Sequence, residues 1–116
     1  IAQSQESFLK NEMNCDIIIC LSHLSKNYRG DKICDDILAT QVHHTNLILG
    51  GHTHTFMDQL EAFENKGSKK TFVMQAGWGG LVLGRIDLIF KRLNENLTAS
   101  AYPVKISKKT NENMLV

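Results

Sequence analysis

The sequence predicts an α/β fold, and three observations carry that expectation. Residues 16–21 and 46–49 are short apolar runs, the first rich in β-branched side chains, and both read as strands. Between them lies a segment whose apolar residues fall near helical spacing. Each strand runs directly into a loop that carries histidine.

Taken in order, residues 2–13 place Phe8, Leu9 and Met13 on one face with polar residues opposite, which predicts a helix ended by Asn14. The run 16–21 reads as a strand buried on both faces, the kind found inside layered α/β folds. Residues 27–31 form a polar turn, and Asp31 is placed to cap a helix over 32–43, with Ile33, Ile37, Leu38 and Val42 near helical spacing. The second strand, 46–49, opens into Gly50-Gly51-His52-Thr53-His54-Thr55. A polar turn over 64–70 precedes a strand at 71–76 and a glycine-rich bend at 77–80. In the long strand 81–91, Val82, Gly84, Ile86, Leu88 and Phe90 alternate with more polar positions and are expected to face a core. A turn at 94–96 leads to a final or edge strand at 97–106, where Pro103 is tolerated. Residues 1–106 thus form one domain, and 107–116 a polar tail or the start of a linker.

Composition narrows the function classes. The chain has 116 residues, 42% hydrophobic and 22% charged, the balance of a soluble globular domain. Its formal charge is +1, with Lys and Arg spread along the chain, which argues against a nucleic-acid polymer or a membrane surface as partner. The longest apolar run, 17–21, is too short to span a bilayer, so no transmembrane segment is expected. The first residue is Ile and nothing near it resembles a signal peptide, so the chain reads as a processed or excised piece. Cys15, Cys20 and Cys34 show no CxxC spacing, and a disulfide framework is not expected.

The histidines carry the chemistry. His52 and His54 stand two residues apart after a buried strand, where Gly50 and Gly51 let the backbone approach a ligand closely. Imidazole nitrogen suits Zn, Mn and Fe. His23 occupies the equivalent place after the preceding strand, and functional groups gather at the carboxyl ends of strands in α/β sheets. If the two strands are parallel neighbours joined by a helical crossover, His23 lies beside His52. His43 and His44 end the expected helix and read as capping groups. Asp35 and Asp36 read as part of a solvated helix face.

In these residues the sequence resembles the calcineurin-like metallophosphoesterases, and within them the 5'-nucleotidase branch. The signatures are Leu21-Ser22-His23, Gly51-His52-Thr53-His54-Thr55, Gln75-Ala76-Gly77 and Leu83-Gly84-Arg85-Ile86-Asp87, in order and in the right strand context. The resemblance covers residues 5–105 and implies part of a four-layer α/β/β/α sandwich, two sheets face to face and flanked by helices. It implies two divalent metal ions, with His23 and His52 on one and His54 on the other, acting on a phosphoester or nucleotide substrate. It implies a bend at 77–80 beside the site, with Trp78 packing there, and Arg85 and Asp87 on a solvated strand face. A periplasmic, cell-surface or secreted location is the corresponding expectation.

The departures are equally informative. The family's Asp-x-His and Gly-Asn-His motifs are absent, and with them the catalytic histidine and a bridging carboxylate. The chain therefore reads as the C-terminal half of the catalytic domain, with the N-terminal half as its natural partner and little activity alone. Alternatives are a related phosphodiesterase, sugar-nucleotide hydrolase or thiosulfate-pathway relative, and a non-catalytic module holding one metal through His52 and His54.

Overall fold

The computed structural model describes residues 1–91 and 96–107. Helix α1 (Ala2–Asn11) is followed by β1 (Ile19–Leu21), α2 (Asp35–Gln41), β2 (Leu47–Leu49), β3 (Glu61–Glu64), β4 (Lys70–Met74), β5 (Val82–Lys91) and β6 (Asn96–Lys105). The first four strands form one sheet in the order β1-β2-β4-β3, and β5 and β6 form a separate two-stranded sheet. Strands β1 and β2 are parallel, with Ile19, Cys20 and Leu21 opposite Leu47, Ile48 and Leu49. They are the parallel neighbours that the sequence pattern foresaw, joined through α2. Strand β4 continues the parallel order beyond β2, and β3 closes the sheet antiparallel. The expected turn at 94–96 falls largely outside the described residues, as does the tail beyond 107.

One face of the sheet carries Cys20, Ile48 and Val73, and α2 covers it. Leu38, Ala39 and Val42 pack on Ile48 and Val73, with Ala2, Cys20 and Phe63 at the margin. Each buried Leu, Ile or Val in this contact contributes about 1.5–3 kcal/mol relative to exposure. Helix α2 starts at Asp35, three residues later than expected, and its N-cap is Cys34 without a side-chain bond. Asp31 is not the cap because the preceding loop supplies the partners with its backbone: Asp35 N–H donates to the Ser25 carbonyl (2.8 Å) and Asp36 N–H to that of Lys26 (3.3 Å).

The opposite face is covered unevenly. Leu47, Phe72 and Met74 are buried, but Ile19 is 49% and Leu21 81% exposed. The expectation that residues 16–21 are buried on both faces is therefore corrected. β1 lies at the edge of its sheet, and no described residue covers its outer face. Strand β3 was not foreseen, since EAFE is short, polar and half-exposed; it is recruited by antiparallel pairing with β4. The β5–β6 hairpin places Val82, Gly84, Ile86 and Leu88 half-buried, as the alternation implied, while Phe90 is 37% exposed. Arg85 and Asp87 pair in solvent at 2.9 Å. The radius of gyration is 15.3 Å, against about 13 Å for a compact domain of this length.

Helix α1 is anchored by an acid rather than by its apolar stripe. Phe8 and Met13 are exposed, and the residue α1 buries is Glu6. Its carboxylate accepts from the backbone N–H groups of His43, His44 and Thr45 and from the Thr45 hydroxyl, at 2.8–2.9 Å. So His43 and His44, expected to cap the helix through their rings, lie beyond its end, and their amides are what the fold uses. The polar chain continues: the Thr71 hydroxyl donates to the Thr45 carbonyl, and Asn65 Nδ2 to the Thr71 hydroxyl. Burial alone would push the Glu6 pKa up, but the donors of His43, His44 and Thr45 outweigh it and hold the pKa below the ordinary range.

Glu6→Gln turns an amide nitrogen toward groups that are themselves donors, and we expect a loss of about 2–3 kcal/mol in urea unfolding, against a near-neutral effect of Phe8→Ser. The lowered pKa makes the Glu6 contribution complete above the ordinary glutamate range and removes it as pH falls through the folded-state value. That acid limb of the stability–pH profile should vanish in Glu6→Gln.

Candidate functional site

The site lies where β1 and β2 end. Parallel pairing extends one step past each strand: Ser22 N–H donates to the Leu49 carbonyl, and Gly50 N–H to that of Met74, both at 2.9 Å. The next residues are the histidine loops. The His23 and His52 rings lie 5.1 Å apart between centroids, edge to face at 68°. A methyl group on Gly51 would sit 3.0 Å from His23 Nδ1, so the glycine lets the imidazole lie against backbone. His54 points elsewhere, stacked on Trp78 with centroids 5.8 Å apart and planes 21° apart. Trp78 packs on the loop as expected yet remains 55% exposed. The structure thus brings two of the three histidines together. Among the described residues no group of three or more His, Cys, Asp or Glu side chains converges to hold a metal ion.

The histidine loop is strained and heavily tied. His52 (φ 76°) and His54 (φ 54°) occupy the left-handed region, which L-residues adopt at a cost of about 1–3 kcal/mol when the surroundings over-determine them. What over-determines them is Gln75, 2% exposed at the end of β4. Its Nε2 donates to the Gly51 carbonyl (2.9 Å), while its Oε1 accepts from Thr55 N–H (3.1 Å) and from the Thr53 hydroxyl (3.3 Å). One side-chain amide therefore spans the loop from before His52 to after His54. Lys26 N–H donates to the Thr53 hydroxyl (3.1 Å), which joins this loop to the one carrying His23. Gly77 N–H donates to the Thr55 carbonyl (2.9 Å) and adds the glycine-rich bend.

Two charged groups beneath the loops were misread from sequence. Asp35 is fully buried rather than solvated. Its Oδ1 accepts the Ser22 hydroxyl, and Gly50 has no room for a methyl because Asp35 Oδ2 is already there. Burial pushes the Asp35 pKa up, against the lowering effect of the Ser22 bond, nearby Gln75 and Lys26. Gln75 Nε2 donates to the Gly51 carbonyl and lies near enough to Asp35 to favour its charged form, but Oδ2 makes no hydrogen bond of ordinary geometry. The signal was present in the sequence: Asp35, Leu38, Ala39 and Val42 follow the i, i+3, i+4, i+7 stripe, with the acid on the buried face. Asp36 is not free in solvent either. It pairs with Lys26 at 2.6 Å, and Lys26, 5% exposed, also reaches Glu61 at 2.8 Å. Burial would lower the Lys26 pKa, but bonds to Asp36 and Glu61 raise it instead. The Cys20 thiol is pushed up by burial and by the charges of Asp35 and Glu6, which makes it a poor nucleophile.

No family model matches the chain. Among curated proteins, the trifunctional nucleotide phosphoesterase protein YfkN of Bacillus subtilis (strain 168) is 37% identical over 89 residues, 77% of this chain and 6% of that protein. The apyrase of Aedes aegypti is 30% identical over a 128-position alignment, 96% of this chain and 22% of that protein. The crystal structure of a 5'-nucleotidase precursor from Thermus thermophilus superposes with a TM-score of 0.74 at 20% identity, covering 93% of this chain and 22% of that one. The chain is thus similar in sequence to segments of a nucleotide phosphoesterase and an apyrase, and in fold to part of a 5'-nucleotidase precursor. It spans less than a quarter of the length of each of these relatives. The mixed α/β fold of the Thermus structure is its fold.

A cavity of about 240 Å³ lies beside the bend, lined by Phe56, Met57, Asp58, Ala76, Val82, Pro103 and Lys105. None of the three histidines lines it, so the chemistry is read from the loops and not from this cavity. The clamp gives a direct prediction. Gln75→Leu keeps the volume and deletes all three bonds, and should raise hydrogen exchange at the Thr55 amide by tenfold or more, with about 1–3 kcal/mol lost in unfolding. Protection of Thr55 that survives the change would show that the loop is held by other means.

Proposed function

We propose that the chain supplies one side of a two-metal phosphoester hydrolase site, with 5'-nucleotides as the substrate class. The observation that carries this reading is the His23–His52 pair, set 5.1 Å apart at the carboxyl ends of two parallel strands. The names of the relatives, a nucleotide phosphoesterase, an apyrase and a 5'-nucleotidase precursor, support the substrate class.

The donor set fits half a centre. Two neutral imidazoles side by side suit a borderline divalent ion such as Zn, Mn or Fe. The close backbone at Gly51 leaves His23 free to face its partner. His23 and His52 would hold one ion and His54 the other, with the remaining ligands from the N-terminal half of the domain. Ions bound there would supply polarisation of the phosphoryl oxygens and a water of lowered pKa. This chain's own residues bind and orient. Gln75 and Thr53 fix the loop, and Trp78 holds the His54 ring in one plane. Because neutral imidazoles bind, affinity falls in acid. A periplasmic, cell-surface or secreted parent belongs to the same reading, in keeping with the precursor status of the Thermus relative. No helix among the described residues is long and apolar enough to cross a membrane.

A non-catalytic single-metal module is the second reading; with His54 turned toward Trp78, its ion would sit on His23 and His52 rather than on the expected His52 and His54. Stoichiometry separates the two. Titrating zinc into the chain in dilute solution, we expect His52→Ala to weaken binding by at least tenfold. With the N-terminal half present we expect two ions per complex, one of them lost in His54→Ala. Unchanged binding in both variants would remove the metal assignment, and one ion per complex would favour the module. The exposed Ile19 and Leu21 lead to a further expectation. The isolated chain should associate at high concentration, and a monodisperse, cooperatively melting monomer would count against the need for a partner half.

A further inference from the structure

Asp35 is not among the proposed metal ligands, yet its placement is hard to explain by stability. Burying a carboxyl group is costly unless its oxygens are satisfied, and here one is not. Oδ1 accepts the Ser22 hydroxyl, while Oδ2 makes no hydrogen bond of ordinary geometry and lies against the backbone of Gly50. The residues it touches are informative. Ser22 immediately precedes His23, and Gly50 lies two residues before His52. Asp35 itself is fixed from below, since it opens α2, its N–H donates to the Ser25 carbonyl at 2.8 Å, and α2 is packed on Ile48 and Val73. One rigidly mounted side chain thus meets the departure points of both histidine loops. It holds the first by a hydrogen bond and limits the second by contact.

We propose that Asp35 is a positioning residue, a wedge between the ends of β1 and β2 that sets the separation of His23 from His52. Oδ1 fixes the direction in which the chain leaves β1. Oδ2 bears on Gly50, where any side chain would displace either the carboxyl or the loop, so position 50 is glycine for steric reasons. Gln75 then sets the far part of the second loop, from Gly51 to Thr55. The two residues divide the task. Asp35 places the first step out of each strand, and Gln75 shapes the turn that presents His52 and His54.

The test uses the 116-residue chain in dilute solution, with three readouts: acylation rates of the His23 and His52 imidazoles resolved by mass spectrometry, zinc affinity, and stability in urea. Ser22→Ala removes the hydrogen bond alone. Gly50→Ala pushes on Oδ2. Asp35→Ala combined with Gly50→Ala restores space. Glu6→Gln serves as the control, because it acts at the opposite end of β2. We expect Ser22→Ala and Gly50→Ala to change the acylation rates of both histidines and to weaken zinc binding by about 10–100-fold, the usual effect of losing a group that orients a ligand. The double variant relieves the clash but also loses the Ser22 bond, so it should behave like Ser22→Ala and gain nothing beyond it. Glu6→Gln should lower stability and leave both histidine readouts in place. Equal changes in Glu6→Gln and in the Asp35-contact variants, or none in Ser22→Ala and Gly50→Ala, would overturn the proposal. Only the zinc readout rests on the metal reading. A wild-type chain that binds no zinc, alone or with the N-terminal half added, defeats that reading, and the acylation rates still decide the role of Asp35.

Discussion

Parallel pairing of β1 with β2 is the constraint from which the rest of this structure follows. Parallel strands cannot be joined by a tight turn, so the chain must leave β1, cross over the sheet and return. The crossover here is α2, and its Leu38, Ala39 and Val42 are what the sheet's inner face needs as cover. The same geometry sends both strands out at one edge. Two loops that are 29 positions apart in sequence at His23 and His52 therefore emerge side by side. Neither loop has to search for the other. Their meeting is a property of the sheet, and the local groups only refine it.

Glu6 and Asp35 show how differently one chemical group can be used within this frame. Glu6 lies near the start of β2 among the amides of His43, His44 and Thr45, so its charge is well solvated by protein and its pKa falls. Asp35 lies at the other end with fewer partners, and burial raises its pKa. The signs have opposite effects on folding. Glu6 favours the native state as pH rises through its range. Asp35 binds its proton more tightly in the native state, so deprotonation works against folding. A carboxyl group that stabilises is found where function is not expected, and one that does not is found beneath the histidines.

Much of this was legible in the sequence, for reasons that can be given residue by residue. Strands β2 and β4 announce themselves because buried strands of a parallel sheet are apolar throughout, and β1 by its β-branched run, with the histidines following β1 and β2 directly. The glycines before His52 were legible for the same local reason. Other features depend on what the chain meets after folding. The stripe of Phe8, Leu9 and Met13 marked a helix correctly but not its inward face, since three unpaired amides elsewhere in the chain required an acid. Strand β3 depends on β4 for its existence and has no pattern of its own. The burial of Asp35 was written in its spacing from Leu38 and Val42, but a charged residue on an apolar stripe is easily assigned to solvent. The direction of His54 could not be read at all, because it is set by a left-handed backbone and by the position of Trp78.

The stack of His54 on Trp78 has a practical consequence. The sequence contains one tryptophan, and its indole lies face to face with one of the proposed ligands. Indole emission is quenched by a neighbouring imidazolium and responds to any change in the ring beside it. The chain therefore carries its own optical probe, unlabelled and unambiguous in origin. It is placed on the histidine that stands apart from the pair, so light emitted at a single position is sensitive to that side chain.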